Sequence, residues 1–261
     1  MTISSSCADI AIEQRGQVLE LHMQRPERKN ALTHAMYTAL NAALRAADED
    51  SSVRVVLITG TDDCFTAGND MSDFLQHPPS GPDAPVMQFL ELLRTFRKPL
   101  VAAVNGAAIG VGTTMLLHCD LVYCGRSARL QMPFVSLGLC PEAGSSFLLA
   151  QAIGPAKAAE LLLLAETITG ERALELGIAN GVCDDANYLA KARGAAERLA
   201  AMPPASVRLT KELMRAPHAE VLAAQMAREG AEFVQRLTSP EAREAMTAFV
   251  EKRAPDFSRF D

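Results

Sequence analysis

Residues 99–112, read with Lys98 as KPLVAAVNGAAIGVG, restrict the possible folds more than any other stretch of this chain. Leu100–Val104 is a short run of small and β-branched apolar residues, the pattern of a fully buried strand. Gly106, Gly110 and Gly112 follow, and glycine lets backbone turn sharply and approach another group closely. Residues 113–117 then resume with helical character. A strand, a glycine turn and a helix start gather unpaired backbone N–H groups at one point, which suits an anion or an oxygen that becomes one. Residues 100–117 are also long and uncharged enough to suggest a membrane span. Asn105, the glycines and the paired Thr113 and Thr114 favour the buried strand–turn–helix instead. The chain has 261 residues, 49% of them hydrophobic and 21% charged, so there is ample material for a core around this stretch.

The flanking segments alternate strand and helix. Residues 17–23 alternate around Val18, Leu19, Leu21 and Met23 as an early strand. Residues 25–30 form a charged turn broken by Pro26. Residues 31–48 form an amphipathic helix with Met36, Leu40 and Leu44 spaced four apart, and 53–59 a second buried strand. Residues 60–73 read as a polar loop, 76–85 as an irregular proline-rich segment, and 86–96 as a helix. This order predicts a parallel sheet with right-handed crossovers. Further strands are expected at 120–124, 130–134 and 178–182, and helices at 147–164, broken at Gly154-Pro155, and 169–176. Residues 135–146 form a loop that carries Glu142. Beyond 186 the pattern is helical alone, so a subdomain boundary is expected near 185–200.

The net charge is −6 with no basic run, which argues against nucleic acid as partner. Six cysteines without a CxxC pair or metal spacing read as a reduced, cytoplasmic protein, and no signal peptide is visible at the start. Five scattered histidines suggest no metal site. Gly110-Val111-Gly112 lacks the third glycine of a dinucleotide fingerprint, with Met115 in its place.

Four motifs in order carry a resemblance. Arg25-Pro26 through Asn30-Ala31-Leu32, Ala67-Gly68-Asn69-Asp70, Asn105-Gly106 through Gly110-Val111-Gly112 with Cys119-Asp120, and residues 248–253 together resemble the crotonase superfamily, the enoyl-CoA hydratase/isomerase group. The resemblance covers nearly the whole chain. It implies an α/β fold, a crotonase (ClpP-like) spiral of ββα units with a helical C-terminal trimerisation region. The core domain would span residues 1–195 with the CoA and acyl site, and the helical region 196–261. A homotrimer or dimer of trimers is implied, and no cofactor beyond coenzyme A carried by the thioester substrate. No membrane association is expected.

The resemblance also implies an oxyanion hole from the backbone N–H groups of Asn69 and Val111. The family usually has glycine where Val111 stands, but a backbone donor tolerates valine. Loss of one such donor typically costs ~3 kcal/mol or more of transition-state stabilisation. The family's hydratases hold water between two glutamates, and the matching positions here are Thr114 and Phe134, neither of them an acid. Glu142, in a stretch resembling the Δ3,Δ2-enoyl-CoA isomerase branch, is the carboxylate that remains. One carboxylate suits a proton shuttle from C2 to C4, helped by a pKa raised by apolar neighbours such as Phe134 and Leu139.

Each assignment has a plainer reading beside it. Glu142 is also a plausible helix entry, Asp70 reads as a loop cap and Asp120 as a sheet-end carboxylate. Thr114 either lines the acyl pocket or is a first-turn helix residue. Arg28 and Lys29 either meet CoA phosphates or form a solvated turn. By resemblance the Ala67 backbone bonds the adenine, while Phe249 and Lys252 pack it and meet phosphate; ordinary helix packing is the alternative for Phe249. The functional alternatives are a single-glutamate hydratase or other crotonase reaction, and a catalytically silent acyl-CoA-binding protein.

Overall fold

The structure, a computed structural model, describes residues 3–79 and 81–260, without the side chains of Leu75, Phe249 and Val250. Ten strands and eleven α-helices alternate along these residues. The first half runs β1 (Ile10–Arg15), β2 (Val18–Met23), α1 (His34–Glu49), β3 (Val55–Thr59), β4 (Cys64–Thr66), α2 (Met71–Gln76), α3 (Pro85–Thr95), β5 (Leu100–Val104), β6 (Ala107–Ile109) and α4 (Val111–Thr114). The second half runs β7 (Leu121–Gly125), β8 (Arg129–Gln131), α5 (Ser145–Ile153), α6 (Pro155–Leu163), β9 (Ile168–Thr169), α7 (Gly170–Glu175), β10 (Gly181–Cys183), α8 (Tyr188–Ala200), α9 (Pro204–Arg215), α10 (Ala219–Arg236) and α11 (Pro240–Val250).

Two sheets result, ordered β1-β2-β3-β5-β7-β10 and β4-β6-β8-β9. Three successive strand pairs, β3/β4, β5/β6 and β7/β8, each place their first strand in the larger sheet and their second in the smaller. The chain thus spirals, and β3, β5 and β7 pair in parallel, as do β4, β6 and β8. The expected spiral of ββα turns followed by helices is what the chain forms.

The central strands read as unbroken apolar runs because both sheet faces are covered. Val55, Leu57, Val101 and Ala103 face α8, whose Ala192, Ala196 and Ala200 recur every fourth residue and let helix and sheet approach closely. Val56, Ile58, Ala102 and Val104 point the other way, into the main core with α1 and α3. Residue 195 lies inside α8, so the expected division at 195/196 falls within a helix packed on the sheet.

Several expected bounds shift for local reasons. The first helix begins at His34, not 31, because Leu32 is engaged in a bridge with Asn69 and Thr33 caps the helix, its hydroxyl accepting from Met36 N–H at 3.3 Å. The strand expected over 130–134 is β8, which ends before Pro133, a residue with no N–H to offer a ladder. The polar loop over 60–73 contains β4 and the start of α2. No helix among the described residues is long and apolar enough to cross a membrane.

Candidate active site

Three loops meet at the edge of the smaller sheet. The 25–30 turn is pinned by buried Asn30, whose side chain accepts from Arg25 N–H at 2.7 Å and donates to the Cys64 carbonyl at 2.7 Å. Arg25 pairs with Asp70 at 2.7 Å, and Asp70 also accepts from the N–H groups of Ser72 and Asp73, capping α2. Leu32 N–H donates to the Gly68 carbonyl and Asp70 N–H to the Leu32 carbonyl. In such a parallel bridge the backbone groups of the middle residue, Asn69, point away from Leu32.

Val111 is the first residue of α4, so its N–H has no acceptor within the helix. Gly110 turns the chain there with φ +55°. A Cβ at Gly112 would lie 2.6 Å from Thr66 Cγ2, so only glycine allows α4 to sit this close to β4. Asn69 and Val111 both line a cavity of ≈240 Å³ together with Ala67, Phe134 and Leu139. Two backbone donors at an apolar cavity can hold an oxygen that gains negative charge.

A second cavity of ≈340 Å³ adjoins it, and Asn69, Phe74 and Phe233 line both. Its wall comes from α3, α10 and the 76–85 segment, including Pro79, Pro82, Leu90 and Met226. Glu142 opens into this cavity and is 8% exposed. Burial pushes its carboxyl up to about 7, a Thr114 hydrogen bond opposes this, and the charge of Glu229 adds to it. The other carboxylate lining this cavity, Glu91, is exposed and bonded to Arg94. Tyr37 donates to the Asn69 side-chain oxygen at 2.6 Å. Its phenol is held well above the usual range by burial and by the Glu142 charge.

Glu142, Asn69 and Val111 are thus brought around two joined cavities. Phe134 and Leu139 line the Asn69/Val111 cavity, and Phe134 packs edge-on against Phe233, which lines both cavities. Thr114 is fully buried, its hydroxyl donating to Glu142, and it is not among the residues lining either cavity. Arg28 and Lys29 are exposed, and Lys29 O accepts from Ala67 N–H at 2.9 Å, which sets the basic turn beside the smaller cavity. Lys252 is exposed just past α11, whose Met246 lines that same cavity. The Phe249 side chain lies outside the described residues.

Asp120 is a sheet-end carboxylate, accepting from Leu100 N–H, Lys211 and Arg215. Glu13, Glu20 and His22 gather ligand atoms within 4.8 Å on β1 and β2, but Arg193 already binds Glu20 through two bonds of 2.8 and 2.7 Å. Sequence reasoning missed Tyr37, Phe233 and Glu229. Tyr37 looks like one more apolar position of α1, and the other two are far along the chain from the loops they meet.

Comparison with known proteins fits this geometry. Residues 13–259 match the family model described as enoyl-CoA hydratase/isomerase. The chain is 32% identical to the 2,3-dehydroadipyl-CoA hydratase of Escherichia coli (strain K12), covering 96% of this chain and 98% of that protein. It is 31% identical to enoyl-CoA delta isomerase 2 of Homo sapiens, over 96% of this chain and 65% of that protein. Among solved structures, Pseudomonas aeruginosa OdaA superposes with a TM-score of 0.91 at 52% identity, covering 93% of this chain and 99% of that one. With the fold, the two-cavity site and these likenesses together, the chain belongs to the enoyl-CoA hydratase/isomerase family of the crotonase superfamily.

Proposed function

We propose that this enzyme isomerises 3-enoyl-CoA thioesters to their conjugated 2-enoyl forms, with Glu142 as the sole acid/base. The reading is carried by one observation: Glu142 is the buried carboxylate of a cavity that shares Asn69 with the cavity holding Val111. Glu142 takes the proton from C2. The C2–H electrons delocalise toward the thioester oxygen, which the Asn69 and Val111 N–H groups stabilise. Protonated Glu142 returns the proton to C4, the C3=C4 bond is lost and C2=C3 remains. A carboxyl near pH 7 is suited to both halves of the transfer. The hydratase positions support the same reading, since Thr114 is spent on Glu142 and Phe134 is apolar.

Exposed Arg28 and Lys29 beside Ala67 are suited to CoA phosphates. Leu209, Leu213 and Met214 of α9 and Val221 of α10 are large apolar side chains open to solvent, which suits self-association, with a trimer or a dimer of trimers as the family's resemblance implies.

The test follows the rise of conjugated thioester absorbance from 3-hexenoyl-CoA, with 2-hexenoyl-CoA alongside and Glu142→Ala on both. Isomerisation is expected in the parent and a loss of at least ~10²-fold in the variant. Loss of the 2-enoyl signal from the second substrate, with little conjugation of the first, would establish hydration instead. Binding of both thioesters without turnover would leave an acyl-CoA-binding protein.

A further inference from the structure

We propose that Glu229, on α10, is a positioning residue that holds the Glu142 loop in its working geometry and sets the charge around the base. This rests on the reading of Glu142 as the acid/base. Glu229 is 5% exposed and accepts three hydrogen bonds from the loop, from Gly144 N–H at 2.6 Å, Ser146 N–H at 3.1 Å and the Ser146 hydroxyl at 2.5 Å. Gln225, one turn earlier on the same helix, donates to that hydroxyl at 2.8 Å. The loop needs such support. Ala143 and Gly144 follow Glu142 with φ +61° and +69°, and a non-glycine residue such as Ala143 is strained in this region. From the other side His118 Nε2–H donates to the Ala143 carbonyl at 2.7 Å.

A cap for α5 does not require a carboxylate from a distant helix, because a local serine or asparagine oxygen would serve. Burying a second carboxylate beside the Glu142 loop is costly, and its three donors offset that cost. What the carboxylate adds is negative charge, which disfavours ionisation of Glu142. Beside Glu229, the same helix lines the substrate cavity with Ala223, Met226, Ala227, Gly230 and Phe233. One helix therefore forms both the wall that meets the acyl chain and the strut that holds the base.

The other groups around Glu142 are accounted for. Tyr37 of α1 stays neutral well above pH 10, and Thr114 of α4 is a neutral donor. His118, held near 4 first by burial and further by Arg215, Arg94 and Lys211, is neutral above that pH. Arg45 and Glu91 line the same cavity from α1 and α3, Arg45 bonded to Gln88 and Glu91 to Arg94.

The experiment compares the parent with Glu229→Gln and Glu229→Ala in two readouts. One is kcat and KM for 3-hexenoyl-CoA across pH 5–9. The other is the carboxyl titration of Glu142 in the free enzyme by 13C NMR, assigned with Glu142→Gln. For Glu229→Gln the Glu142 midpoint and the acidic limb of kcat/KM should both move to lower pH by at least about half a unit, with KM within about threefold. For Glu229→Ala, which leaves the loop donors without partners, kcat should fall by ~10²-fold. A Glu229→Gln enzyme with an unmoved Glu142 midpoint overturns the proposal, whatever its stability. If the parent shows no isomerisation but the midpoint still falls in Glu229→Gln, the isomerase reading fails and the role of Glu229 stands.

Discussion

Thr114 and Glu229 act on Glu142 in opposite senses. Burial sets the carboxyl high; the Thr114 hydroxyl stabilises the ionised form and lowers it, whereas Glu229 raises it. Thr114→Val keeps shape and removes the donor. The acidic limb of isomerisation should then move to higher pH, the reverse of the Glu229→Gln shift, so activity falls several-fold at pH 6.5 and less than about threefold at pH 8.5. A kcat–pH series on the two variants checks the signs against each other. The expectation that Glu142 is the acid/base came only through the likeness of its surrounding loop, because an isolated glutamate beside Pro141 reads first as a helix entry. Asp70 and Asp120 were legible from loop chemistry alone, and both are anchors for backbone and basic side chains.

At the scale of elements, the buried strands and α1 were readable because their residues repeat at a strand or helix period. Three-residue strands such as β4 and β6 have no period to read; their conformation comes from pairing with each other. The role of α10 was hidden for a related reason. Its cavity-lining residues fall on a helical face that looks like any core-facing stripe, and only the tertiary fold shows that the face meets a cavity. Gly230 on this face decides how much room remains, since a Cβ there would lie 2.7 Å from Met87 Cε. Met87 is a flexible side chain that can swing aside into the cavity. Gly230→Ala should therefore fold as well as the parent, helped by the ~1 kcal/mol advantage of alanine in a helix interior. It should raise KM for long 3-enoyl thioesters more than for 3-hexenoyl-CoA, as a chain-length series of kcat/KM would show.

Across the whole molecule, two buried titrating groups pull stability in opposite directions with pH. His118 is pushed down to about 4 by burial, so its neutral form supports the fold above its ordinary value of 6.5. That support is lost as pH falls through about 4. Glu142 is pushed up to about 7 from 4.5, so the folded state binds its proton more tightly than the unfolded chain does. Stability therefore falls as pH rises from 4.5 to about 7, and the full cost persists above that. At about 1.4 kcal/mol per pKa unit, the cost of keeping an ionised base in this cavity is at most about 3.5 kcal/mol. Glu142→Gln keeps the Thr114 bond to an acceptor oxygen and removes the charge. Its thermal midpoint should match the parent near pH 4.5, exceed it increasingly up to about pH 7, and keep a constant lead to pH 9. Melting curves for the two proteins at pH 4.5, 6, 7 and 8.5 check this. A variant no more stable than the parent at pH 8.5 would mean that ionised Glu142 is well solvated in the folded enzyme, and that neither its burial nor Glu229 places its pKa near neutrality.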